Sequence, residues 1–205
     1  VSDQTYNDAV KLDTNTTLDS NTNGNITFNG TLDSTSAETN SLLLNTGGTT
    51  TFNGLVGNTD RLSTLTTDAA GSTVINTSSI KTVTDQTYND AVKLDANTTL
   101  DTSTSGDVTF NSTLDSVTGE TNSLQVNTSG TTTFNGLVGN TDRLSMLTTN
   151  AGGTTVINTS SVKTVSDQTY NDAVKLDTDT TLDSSSSGNI TFNNSLDSAT
   201  GETNS

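Results

Sequence analysis

The chain has 205 residues, a formal net charge of −16, seven Lys or Arg against 23 Asp or Glu, and no His, Cys or Pro. It can therefore form no disulfide and no thiolate metal site, and it lacks the commonest general bases. Its acidity sets it against the phosphates of nucleic acid, and its longest apolar cluster, Leu42–Leu44, is far too short to span a membrane.

Leu, Ile, Val and Phe make up only about a fifth of the residues, which is too little for a thick globular core. Thr makes up roughly a quarter, and its β-branched side chain suits a pleated surface. The expectation is ordered β structure in a form that needs few inward residues per layer.

From the first residue the chain repeats itself. VSDQTYNDAVKLD at Val1 returns as VTDQTYNDAVKLD at Val83 and VSDQTYNDAVKLD at Val165, so the period is the same both times. The first two copies agree at 63 of 82 positions. The units are 1–82, 83–164 and a partial third, 165–205, which is read as part of one continuous solenoid and as an interior section of a longer polymer. The absence of a polar cap at either end supports the same expectation, because open coil ends expose strand edges.

Within a copy the strands announce themselves by alternation. In chain order, Ile26 and Phe28, Leu42 and Leu44, Thr50 and Phe52, Thr73 and Ile75, Val108 and Phe110, Leu124 and Val126, and Thr132 and Phe134 are placed in the interior. Between them lie clusters of Gly, Asn, Ser, Thr and Asp with turn chemistry, at Asn21–Asn25, Thr46–Gly48, Ala69–Ser72, Thr102–Asp107, Thr128–Gly130 and Ser184–Asn189. A shorter theme ending in Asn recurs as ITFN at 26–29, TTFN at 50–53, TVIN at 73–76 and QTYN at 86–89. A solenoid turn takes about 20–25 residues, so the 82-residue unit is expected to wind about four coils, or about ten over the whole chain, with three coils of about 27 residues as the alternative. The fold class is all-β.

Several residues invite a functional reading. Asn29, Asn53, Asn111, Asn135 and Asn193 follow aromatic positions, and a corner Asn that stacks on its counterparts explains them better than a ligand. Paired carboxylates could hydrolyse a glycosidic bond, but Asp13 recurs at Asp95 and Asp177, as architecture does and an active site does not. Asp19–Gly24 opens like a calcium loop, yet its twelfth position is Gly30, and Asp101–Gly106 and Asp183–Gly188 replace both Asn residues with Ser. The expectation is no catalytic, cofactor or metal residue, with at most a loose association of Ca²⁺ with an acidic rod. Thr49–Thr51 and Thr131–Thr133 suggest an ice-binding face, but such rows do not recur on every coil. The sequons at Asn15, Asn25, Asn76 and elsewhere follow from the abundance of Asn and Thr. Asp60-Arg61 and Asp142-Arg143 hold the only arginines; the repeat spacing is expected to place them on one side, about 19 Å apart, as exposed local pairs or as lateral contacts between rods.

The strings TTTFNGLVG, NITFNGTLDS, DAAGSTVINTSSIKT and QTYNDAVKL resemble the repeats of very large bacterial exoproteins of the filamentous-haemagglutinin-like class. The resemblance runs over the whole chain. It implies a right-handed parallel β-helix, or β-solenoid, secreted to or held at the bacterial cell surface. It also implies adhesion, aggregation or biofilm formation, through a host or neighbouring cell contacted by regions outside this sequence. The expected function is the repetitive stalk of such an adhesin. The alternative is a structural filament or sheath, in which copies associate laterally or end to end. No site residue carries over.

Overall fold

A computed structural model describes residues 2–20, 23–103, 105–185, 187–199, 201 and 203–204. Apart from turns and bends its regular structure is short parallel strands. The first copy contributes β1 (Gln4–Tyr6), β2 (Val10–Leu12), β3 (Thr16–Asp19), β4 (Ile26–Phe28), β5 (Leu32–Ser34), β6 (Leu42–Asn45), β7 (Thr49–Phe52), β8 (Leu65–Thr67), β9 (Ser72–Ile75) and β10 (Ser79–Thr82). The order of pairing shows how they wind. β1 pairs with β4, β4 with β7 and β7 with β9, all parallel and all on one face. β2 and β5 begin a second face, and β3, β6 and β8 a third. The chain visits the three faces in turn, and each strand lies on the one that precedes it by about one full circuit.

This is a β-solenoid of about nine turns of roughly 22 residues. At about 4.8 Å per turn the rod is about 43 Å long. The inward residues alternate as period two requires. Ile26, Phe28, Leu42, Leu44, Thr50, Phe52, Thr73, Ile75, Val108, Phe110, Leu124, Val126, Thr132 and Phe134 are all buried. The apolar ones join one hydrophobic cluster that runs from Leu12 to Val174. Stacking turns makes continuous a core that no single turn could close.

The repeat does not wind a whole number of turns. Val56 forms no named strand, yet it bridges Leu32 below and Ile80 above, so it fills a place on the second face between β5 and β10. The ten strands of the first copy and this bridge make eleven strand positions. On three faces, eleven positions are three and two-thirds turns, close to the four expected. Every copy therefore starts one face away from its predecessor. Gln4–Tyr6 lies on the first face, while Gln86–Tyr88 pairs with β8 on the third. Gln168–Tyr170 pairs with Leu147–Thr149 on the second.

Two local features fix this count. Gly57 has φ +63, and a Cβ there would sit 2.0 Å from the Lys81 carbonyl oxygen, so the corner after Val56 admits only glycine. Gly139 repeats the arrangement under Lys163. The second feature is a spur. Gln4 pairs with Ile26 but Thr16 pairs with Leu42, so the circuit that starts at Thr16 is the longer of the two. The extra length forms a loop at 35–40, which Asn40 holds by donating from Nδ2 to the Leu12 carbonyl at 2.9 Å. Asn122 anchors the next spur to Leu94 in the same way, at 3.0 Å.

Candidate functional site

The corner asparagines form ladders. Asn29 Nδ2 donates to Asn7 Oδ1 at 2.8 Å, Asn53 to Asn29 at 2.8 Å and Asn76 to Asn53 at 3.0 Å. A second ladder joins Asn89, Asn111, Asn135 and Asn158, and a third joins Asn171 and Asn193. Amides within a ladder both donate and accept along the rod axis, which satisfies an otherwise idle polar row and fixes the register. Beside each ladder and inside the rod lies a stack of rings. Tyr6, Phe28 and Phe52 have centroids 5.1 and 5.6 Å apart, and Tyr88, Phe110 and Phe134 repeat the stack at 5.2 and 5.5 Å. Both rows occupy the first face in copy one and the third in copy two, because they move with the copy.

The arginines are placed otherwise than the sequence suggested. Arg61 precedes Leu62, which bridges to Thr82, and Thr82 pairs with Thr102. The guanidinium therefore reaches past Lys81 to the second turn above. There Nη1 donates to the Thr82 carbonyl at 3.0 Å, and Nη1 and Nη2 engage Asp101 Oδ1 and Oδ2 at 3.2 and 3.0 Å. Arg143 holds Thr164 and Asp183 in the same manner. Its hydrogen bond holds the Asp183 carboxyl below the usual range. These are staples across turns and not local pairs. Nor do they share a side of the rod. They belong to equivalent places in consecutive copies, so they are one face apart, because a copy is a third of a turn short of four.

The same staples occupy the first ligand position of two of the three calcium-like loops, Asp101 and Asp183. Asp19 lies at the end of β3 and accepts from Asn45 Nδ2 at 3.2 Å, while Asn21 and Thr22 of that loop lie outside the described residues. Asp13 accepts from Thr35 Oγ1 at 3.2 Å. Among the described residues no group of three or more His, Cys, Asp or Glu is arranged to hold a metal ion.

Sequence reasoning missed a pair of buried carboxylates. Asp90 is 3 % exposed and accepts from Thr67 Oγ1 at 2.7 Å and from Thr73 Oγ1 at 2.9 Å. Burial raises its pKa to about 6; the two hydroxyls oppose that shift and nearby Asp68 adds to it. Asp172 repeats the site with Thr149 and Thr155, and burial raises its pKa as well. The phenol of Tyr88 is pushed above its usual range by burial and by Asp90, and it donates to Gln86 Oε1 at 3.1 Å. The Thr partners are distant in sequence and lie on adjacent strands, and nothing in NDAV alone points to them.

The outward surface is hydroxylated. Thr5, Thr27 and Thr51 are in register on the first face. Thr87, Thr109 and Thr133 are in register on the third. Thr148, Thr169 and Thr191 are in register on the second. Each row ends after a few turns, with Val74 following Thr51 and Val156 following Thr133, so no face carries threonine along the whole rod as an ice-binding side would. A polar groove of about 620 Å³ runs beside Arg61 and Asp101, past Ser103, Asn127, Ser129 and Asn150. Its wall is tied internally, since Asn150 Oδ1 accepts from the Thr128 amide at 2.8 Å and Thr128 Oγ1 donates to the Gly106 carbonyl.

No protein-family model, curated protein or solved structure matches the chain, so the β-solenoid itself is the level at which it is classified.

Proposed function

We propose that the chain is a repetitive stalk section of a secreted or cell-surface bacterial adhesin, of the filamentous-haemagglutinin-like kind that its repeats resemble. One observation carries the reading: near-identical 82-residue copies continue one core and one kind of ladder, so each copy adds length and repeats the same surface. By the 4.8 Å spacing a copy adds about 18 Å. The clefts and carboxylates described above are committed to internal bonds, as suits a spacer. A net charge of −16 keeps such rods apart in solution.

A second reading has its own support. Because copies rotate from face to face, the rod offers the same surface on three sides, and a filament or sheath built from parallel rods would use that. Removing whole 82-residue units from the parent gene separates the two. Under the stalk reading, attachment falls while the cell surface keeps its appearance. Loss or thinning of a filament or sheath supports the second reading instead.

A further inference from the structure

Eleven strand positions on three faces leave a remainder, and the remainder has a consequence for anything the rod carries. Adding one copy moves every downstream residue to the next face, in the order first, third, second, first. The threonine rows show this within one chain, with Thr27 on the first face, Thr109 on the third and Thr191 on the second. The rotation is fixed by the ladders, because the hydrogen bonds of each strand and the Asn rows admit one register. It also requires no new junction. The chain passes from Thr82 to Val83 and from Thr164 to Val165 in the same sequence context, so a gained or lost copy leaves every kind of contact as it was.

We infer that the number of 82-residue copies sets the direction in which downstream surfaces of the rod face, in a cycle of three, while the length changes steadily. A partner lying along one side, such as a cell envelope or a neighbouring rod, meets a given patch only once in three copies. That is eleven turns, or about 53 Å. The inference deepens the stalk reading and rests on it, since facing matters only where the rod presents something.

The chain has no histidine, so introduced imidazoles can report facing. One row, Thr5→His, Thr27→His and Thr51→His, marks the first face; a second, Thr148→His, Thr169→His and Thr191→His, marks the second. All six side chains point outward, so the core is untouched. Variants carry zero, one, two or three additional copies inserted after Thr82, and their binding to vesicles of nickel-chelating lipid is measured beside single-row controls.

One added copy turns the upper row from the second face to the first. Both rows then reach the membrane together, and affinity rises about 10²- to 10⁴-fold over either row alone. With zero, two or three added copies the rows face apart, and affinity stays at the single-row level. An affinity that is the same at every copy number, or that falls smoothly with length, overturns the inference. Either result leaves the stalk reading to the gene-deletion experiment. Conversely, failure of the stalk reading there leaves the rotation standing.

Discussion

The nonapeptide QTYNDAVKL occurs in the first and second copies with no change, and the two occurrences lie in different surroundings. In the first, Asp8 is exposed and Tyr6 is half-buried. In the second, Asp90 and Tyr88 are buried against the turn below, where Thr67 supplies a hydroxyl to the carboxylate. The peptide is the same; Gln86–Leu94 rests on β8 and β9, and among the described residues no turn lies beneath Gln4–Leu12. Stability in such a rod is a sum of units and of the interfaces between them, so the same substitution has different effects along its length.

The largest effect is expected at the centre of a ring stack. Phe110 lies between Tyr88 and Phe134, so Phe110→Ala removes contacts on both sides. It should cost about 3–5 kcal/mol in thermal or denaturant unfolding. Phe192 is half-buried and stacks on Tyr170, with no second ring contact among the described residues, and Phe192→Ala should cost clearly less. Equal losses would mean that the turns do not act through their neighbours.

Asp90 sharpens the comparison through pH. Its folded pKa of about 6 lies above the ordinary 3.8. The folded state therefore holds the proton more tightly, and stability rises as pH falls from about 6 towards 3.8. Asp90→Asn removes that dependence. The variant should exceed the wild type by on the order of 2 kcal/mol above pH 6, allowing for partial hydration of the carboxylate, and match it below about pH 4. Asp8→Asn, at an exposed side chain, should change stability by less than about 0.5 kcal/mol. Unfolding curves across this pH window give the answer directly.

Arg61→Ala should cost about 1 kcal/mol, because the pair with Asp101 is bidentate but partly hydrated, and high salt should reduce the loss. An effect of opposite sign to that of Arg61→Ala is expected inside the rod. Thr132 Oγ1 is buried without a hydrogen-bond partner among the described residues, so Thr132→Val should raise stability by up to about 1 kcal/mol. A loss of stability there would show that the hydroxyl has a partner.

The strands were legible because Thr-rich segments alternate cleanly, and residues such as Leu42, Leu44 and Phe52 could be turned inward from period alone. The asparagine rows followed from the recurrence of Asn after an aromatic. The rotation between copies was not legible. It depends on Val56, a strand position reduced to a single bridging residue inside NGLVGNTD, where there is no alternation to read. A turn takes roughly 22 residues and not 20, so 82 residues wind three and two-thirds turns where division by 20 gives four, the value that placed both arginines on one side. The reach of Arg61 to Asp101 and the burial of Asp90 were hidden for a related reason. Partners one or two turns away are fixed by the exact circuit length, which the spur at 35–40 and the corner at Gly57 change locally.

Equivalent residues of consecutive copies provide the most direct test of that circuit. The chain has no cysteine, so Ser36→Cys and Thr118→Cys, both exposed and at matching places on the two spurs, can carry nitroxide labels alone. Dipolar distance measurement then reads their separation. Three and two-thirds turns predict spurs at different corners and a distance well above the axial rise of about 18 Å. A distance close to that rise would mean that copies are stacked face on face, and would contradict the account.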